Sequence, residues 1–135
     1  MVFEETPLFL KVERFIDSKY DLQFNEISND IEYRAKLEDN FRILNENNLF
    51  RVLQHNNVKI SMANLMSLLR SDFVRVVNPF RDYFDSLPSW NEGDPDYIQQ
   101  LANHVTARDQ VQFNHHFKKM LVRCIVCALV DNYYN

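Results

Sequence analysis

A single glycine, Gly93, stands among the 135 residues of this chain. Glycine takes positive φ at no steric cost and lets backbone approach a ligand closely. A chain with one of them is poorly suited to glycine-rich phosphate loops, to collagen, or to a barrel with many tight turns. The Gly-x-x-x-x-Gly-Lys-Ser/Thr loop wraps phosphates with backbone N–H groups and reaches them with lysine. One glycine cannot build it, so these residues alone are expected not to hydrolyse ATP. No cofactor is expected.

Helical periodicity dominates the rest. Thr6-Pro7, Asn78-Pro79 and Asp94-Pro95 each place a capping side chain before a proline, and proline is preorganised for the first helical position. After the first, Leu8, Val12, Phe15 and Ile16 keep helical spacing to about Ser18. After the second, Phe80, Tyr83, Phe84 and Leu87 fall at i, i+3, i+4 and i+7, a stripe expected to be buried. Pro88 stops that helix before Trp90, the only tryptophan. After the third, Tyr97, Ile98, Leu101 and Val105 make a second apolar stripe.

Between the first and second helices the period changes. Asp21 to Phe24 and Asp30 to Arg34 alternate around the turn residues Asn25 to Asn29, which predicts a β-hairpin with Leu22, Phe24, Ile31 and Tyr33 inward. A lone hairpin is marginal in water, so it should pack on helices. Leu37 to Asn48 reads either as loop or as the start of a helix that is clear by Asn48 and ends near Asn56-Asn57. Val58 to Ile60 reads as a short extended piece. Ser61 is a good N-cap for Met62 to Arg70, with Leu65, Met66, Leu68 and Leu69 inward. Phe73 to Val77 is extended and apolar. The last helix, from about Asp109 to Val130 after Thr106-Ala-Arg-Asp109, is apolar nearly all round beyond Arg123. Its C-terminal half is therefore expected to be buried on most sides.

The expected fold is α+β and mainly helical, about six helices with one N-terminal β-hairpin. It is read as one domain over 1–135, with helix and hairpin in 1–45 and a helical core in 46–135. The net charge of −4 is uneven. Residues 1–48 hold eleven acids and six bases, hence −5, and residues 49–135 hold eight acids and nine bases, hence +1. A uniform nucleic-acid coat does not fit, but a local basic patch in the second half does. Glu4 and Glu5 interrupt any leader, and Met120 to Val130 is far short of the roughly 20 residues of a membrane span. A cytoplasmic, reduced protein is the natural reading.

Candidate sites follow from this pattern. Arg108, His115, Lys119 and Arg123 repeat at offsets of 7, 4 and 4, with Lys118 and His116 beside them. Such a stripe can position a phosphate backbone or simply form a solvated face. Met120, Leu121, Ile125 and Leu129 are the candidate docking positions on the same helix. Cys124-Ile-Val-Cys127 has the spacing of a metal or redox pair, but its apolar neighbours point to core thiols. Glu92, Asp94 and Asp96 read as helix-start acids rather than a cation loop. The helix pair between Asn48 and Arg70 has helix–turn–helix spacing and equally that of a structural corner. Were it to meet DNA, Ser61, Asn64 and Arg70 would make the contacts, with Lys59, Arg75 and Arg81 nearby. No Ser/His/Asp or Cys/His arrangement suggests nucleophilic catalysis, and no enzyme activity is expected.

The run Asn78-Pro79-Phe80, Tyr83, Ser86-Leu87-Pro88, Trp90, Gly93, Asp96-Tyr97-Ile98, Leu101-Ala102 resembles the segment just before the ATP-binding loop of the virulence-associated E (VirE-like) proteins. The likeness extends to Ser71-Asp72-Phe73, to Tyr20 through Arg34, and to Phe117-Lys118-Lys119-Met120. That family comprises predicted primase-helicases and P-loop ATPases of phages, plasmids and integrated mobile elements. The resemblance implies an accessory module whose last helix leads into an ATPase domain. It also implies DNA as a partner, and possible assembly of copies around a ring-type motor. A protein-interaction or oligomerisation domain without nucleic-acid contact is the alternative.

Overall fold

The computed structural model describes residues 5–130, so the leader reading at Glu4 falls outside the described residues. Two compact units divide the chain, Met1–Pro79 and Phe80–Asn135. Six helices and a four-stranded sheet occur among the described residues, an α+β and mainly helical fold.

The first unit is built on the hairpin. Strand β1 (Tyr20–Asn25) pairs antiparallel with β2 (Asp30–Ala35) in a register that sets Leu22 opposite Tyr33 and Phe24 opposite Ile31. Cross-strand partners share a face, so all four apolar side chains point inward as their alternation requires. The turn is made by Asn25, whose Oδ1 accepts from the N–H groups of Ile27 and Ser28 at 3.0 and 3.3 Å. Asn29 adopts φ 62°, a left-handed conformation that asparagine tolerates. On the opposite face Glu32 accepts from Gln23 at 2.6 Å and from Asn25 at 3.1 Å. There too Asp21 pairs with Arg34 and Lys36.

Helices cover the inner face. Helix α1 (Leu8–Lys19) buries Val12 and Ile16. Pro7, rather than Thr6, occupies its N-cap position and makes no side-chain cap bond, because proline brings a carbonyl but no polar side chain. Helix α2 (Glu46–His55) is capped by Asn45, whose side chain accepts from the N–H groups of Asn47 and Asn48. Helix α3 (Met62–Leu69) is capped by Ser61, which accepts from Asn64 N–H at 3.1 Å. Their buried side chains, Leu49 and Leu53 from α2 with Leu65, Leu68 and Leu69 from α3, join Val12, Ile16 and Ile31 in one core.

Two strands extend the hairpin, one of them, Arg75–Val77, inside the Phe73–Val77 stretch that read as extended. Strand β3 (Arg42–Ile43) adds antiparallel to β2, within the stretch that read either as loop or as helix. Strand β4 (Arg75–Val77) adds parallel to β1 and gives the order β3-β2-β1-β4. The extended piece at 58–60 joins no strand. It links α2 to α3, with Val58 N–H on Leu53 O and Gln54 Nε2 on Ile60 O.

The second unit has little core. Helix α4 (Pro79–Ser86) starts at the proline as expected, but none of its residues is buried. Phe80, Tyr83 and Leu87, expected to form a buried stripe, are exposed, and only Phe84 is half-covered. Helix α5 (Tyr97–Ala102) is capped by Asp96, which accepts from Gln99 N–H at 3.0 Å. Asp94, the expected cap, accepts instead from Asn91 N–H at 2.8 Å and closes the preceding turn around Gly93. Helix α6 (Gln110–Leu129) is capped by Asp109, which accepts from Gln112 N–H, so Thr106 does not start it.

The expectation that the end of α6 is buried on most sides fails: no residue of α6 is buried. The reason is length. At 1.5 Å per residue α6 runs about 30 Å, against about 9 Å for α5 and about 12 Å for α4. Helices that short cannot wrap it, and Ala102 is the one buried residue among those described in this unit.

Candidate functional site

Helix α6 carries nearly all the candidate residues, and its pitch sorts them onto separate faces. His115, Lys119 and Arg123 recur every fourth residue and are all exposed. The ring of His116 lies 5.7 Å from that of His115. The helix itself carries no Asp or Glu, and Lys119 and Arg123 place two cations on this face in its C-terminal half.

Two members of the expected stripe stand apart. Arg108 lies ahead of the helix, beside Asp109 and Gln112, not on the stripe itself. Lys118 is turned to α5, where its Nζ donates to Asp96 at 3.0 Å. Asp96 is thereby held below the ordinary carboxyl value of 3.8, first by the N–H of Gln99 and then by Lys118. The structure thus brings His115, Lys119 and Arg123 together and commits Lys118 to holding α5.

The docking positions also separate. Leu121, Ile125 and Leu129 follow one another at i, i+4 and i+8, with Leu121 and Leu129 half-buried and Ile125 37% exposed. Val122, 47% exposed, stands beside them and extends the apolar face. Leu129 O accepts from Arg81 at 2.9 Å, which ties α4 to the end of α6. Met120, 51% exposed, lines a surface concavity together with Val122, Lys119, Arg123, Cys124 and Cys127.

Both thiols are exposed, which overturns the core reading. Apolar neighbours in sequence implied a second layer of protein around them, and within this unit α4 and α5 are too short to provide it. Among the described residues no group of three or more His, Cys, Asp or Glu is placed to hold a metal ion.

The first unit offers a concavity of about 550 Å³. Phe24, Ile31, Leu44, Leu69 and Val74 line it, and Asp30, Glu46 and Arg70 bring charge to it. Of these charged residues sequence reasoning named only Arg70, as a DNA contact of the helix pair. Ser61 is occupied as the cap of α3, and α2 and α3 pack as a corner over the core. The scattered basic set is divided as well: Lys59, Arg70 and Arg75 belong to the first unit, and Arg81 to the second.

No helix among the described residues is long and apolar enough to cross a membrane. No family model, curated protein or solved structure matches the chain.

Proposed function

We propose that this chain is a non-catalytic, cytoplasmic accessory module that docks on a P-loop ATPase domain of the primase-helicase kind. The observation that carries the reading is α6, twenty residues long with none buried and with an apolar face at Leu121, Val122, Ile125 and Leu129. Apolar helix surface left in water is the usual mark of a protein-binding site. The kind of partner rests on the resemblance of the run from Asn78 to Ala102 to the segment before the ATP-binding loop in VirE-like proteins.

The test is calorimetric titration of the chain into a purified ATPase domain from that family. Saturable one-to-one binding is expected, lost in Val122→Asp/Ile125→Asp. Absence of heat with the wild-type chain at tens of micromolar would remove the docking role.

DNA handling is the second reading, supported by the exposed His115, Lys119 and Arg123 at four-residue spacing on α6. Binding to labelled single- and double-stranded DNA should weaken steeply with salt. Lys119→Ala/Arg123→Ala should lower the log–log salt slope by about 1.4–1.8, at roughly 0.7–0.9 per lost phosphate contact. A slope unchanged in the double variant would exclude this face.

A further inference from the structure

Cys124 and Cys127 are the features of α6 that neither docking nor DNA contact uses. Both are exposed, at i and i+3, and so on one face of the helix. Side chains at this spacing have Cβ atoms about 5–6 Å apart. A tetrahedral zinc-type centre with metal–sulfur bonds of about 2.3 Å holds its sulfurs about 3.8 Å apart, within reach of such a pair. The two thiols therefore supply two adjacent corners of a tetrahedron.

The remaining corners cannot come from the described part of the same chain. No third His, Cys, Asp or Glu is near enough to complete a site. His116 lies eight residues before Cys124, about 12 Å along the axis. Neighbouring Met120 brings a thioether, a ligand suited to softer ions than zinc. Yet the thiol edge is open to solvent along α6, from Met120 through Cys127. A second α6, approaching antiparallel about a two-fold axis, presents the same two thiols in the complementary position.

We propose that Cys124 and Cys127 form half of a four-thiolate site for a zinc-class divalent ion, completed by the same pair from a second copy of this chain. Four S–H bonds break as four metal–sulfur bonds form, and four protons leave to solvent. The product carries a local charge of −2, and Lys119 and Arg123 on the neighbouring turns of each copy oppose it. Cys124 stands one turn on from Leu121, so the thiol edge borders the apolar face, but neither thiol is a docking residue and serine at both positions leaves Leu121, Val122, Ile125 and Leu129 in place.

Cobalt(II) is the probe. The reduced full chain is titrated with it under anaerobic conditions, with absorption and sedimentation followed together. The expected result is sulfur-to-cobalt charge transfer with tetrahedral ligand-field bands, saturating at one ion per two chains. The mass should double on adding metal and halve on adding chelator, and zinc should displace cobalt. Cys124→Ser/Cys127→Ser should lose both the spectrum and the dimer while its far-ultraviolet dichroism stays that of the parent. The proposal is overturned by an absent charge-transfer band, by saturation at one ion per chain with unchanged mass, by a dimer that survives chelator, or by binding retained in the double serine variant.

Discussion

Leu53 is one of the fully buried side chains on which the first unit depends. Its side chain has no accessible surface and sits in the same core cluster as Leu49 and Leu65. Leu53→Ala removes three carbons. At about 0.8 kcal/mol per buried carbon the transfer term is about 2.4 kcal/mol. A residual cavity of roughly 40 Å³, at about 24 cal/mol per Å³, brings the loss to about 3 kcal/mol. Domains are stable by only about 5–15 kcal/mol, so this is a large share. With a urea slope of about 1.5 kcal/mol/M the unfolding midpoint should fall by roughly 2 M. Far-ultraviolet dichroism against urea reads it, and hydrogen exchange should localise the loss of protection to α1–α3 and the sheet. Leu101→Ala is the control: Leu101 has comparable chemistry but is 56% exposed, and the change should stay within about 0.5 kcal/mol. Equal shifts for the two variants would refute the claim that the core lies in the first unit.

Three further outcomes follow from local geometry. Ser61→Ala removes the acceptor for Asn64 N–H and should cost about 1 kcal/mol by urea unfolding, whereas Ser61→Asp should restore most of it. Asn57, at φ 59°, should accept glycine within about 0.5 kcal/mol but lose about 1–2 kcal/mol on change to valine, whose branched Cβ disfavours the left-handed region. Asp21 is held below its ordinary 3.8 by Lys36 first and Arg34 second. Its contribution is therefore present above that value and lost as pH falls through the lower folded-state value. Urea midpoints measured down through this acid range should drop less for Asp21→Asn than for the parent, and parallel curves would show that the pairing adds no stability.

The first unit was legible because its signals were local and agreed with one another. Alternation fixed the inward set Leu22, Phe24, Ile31 and Tyr33, and the turn chemistry of Asn25 to Asn29 fixed their register. Ser61 and the Leu65–Leu69 pattern likewise fixed α3 and its face. Strand β3 was not legible, and for β4 the extended run Phe73–Val77 was legible but its pairing was not. Two or three residues carry almost no period, and a parallel partner such as β1 for β4 is chosen by the tertiary fold. The cap at Asp94 failed for a competing local reason: its carboxylate closes a turn on Asn91, and Asp96, two residues on, is free to cap Gln99.

The second unit shows the deeper limit. The presence of its three helices was read from period and stop signals, although α5 starts at Tyr97 and ends at Ala102, short of Val105, and period tells only that a face is apolar, not what meets it. Phe80, Tyr83, Leu87, Ile125 and both thiols all satisfy the pattern of buried positions, and all are exposed. Burial needs a second layer of matching length, and that depends on elements outside the stretch being read. The same discrepancy points towards function. A helix whose sequence is written for burial, and which its own unit does not bury, leaves apolar surface exposed, the basis of the docking proposal. On α6 that surface is sorted into a cationic face, an apolar face and a dithiol edge, so three kinds of contact can be separated by three sets of substitutions on one helix.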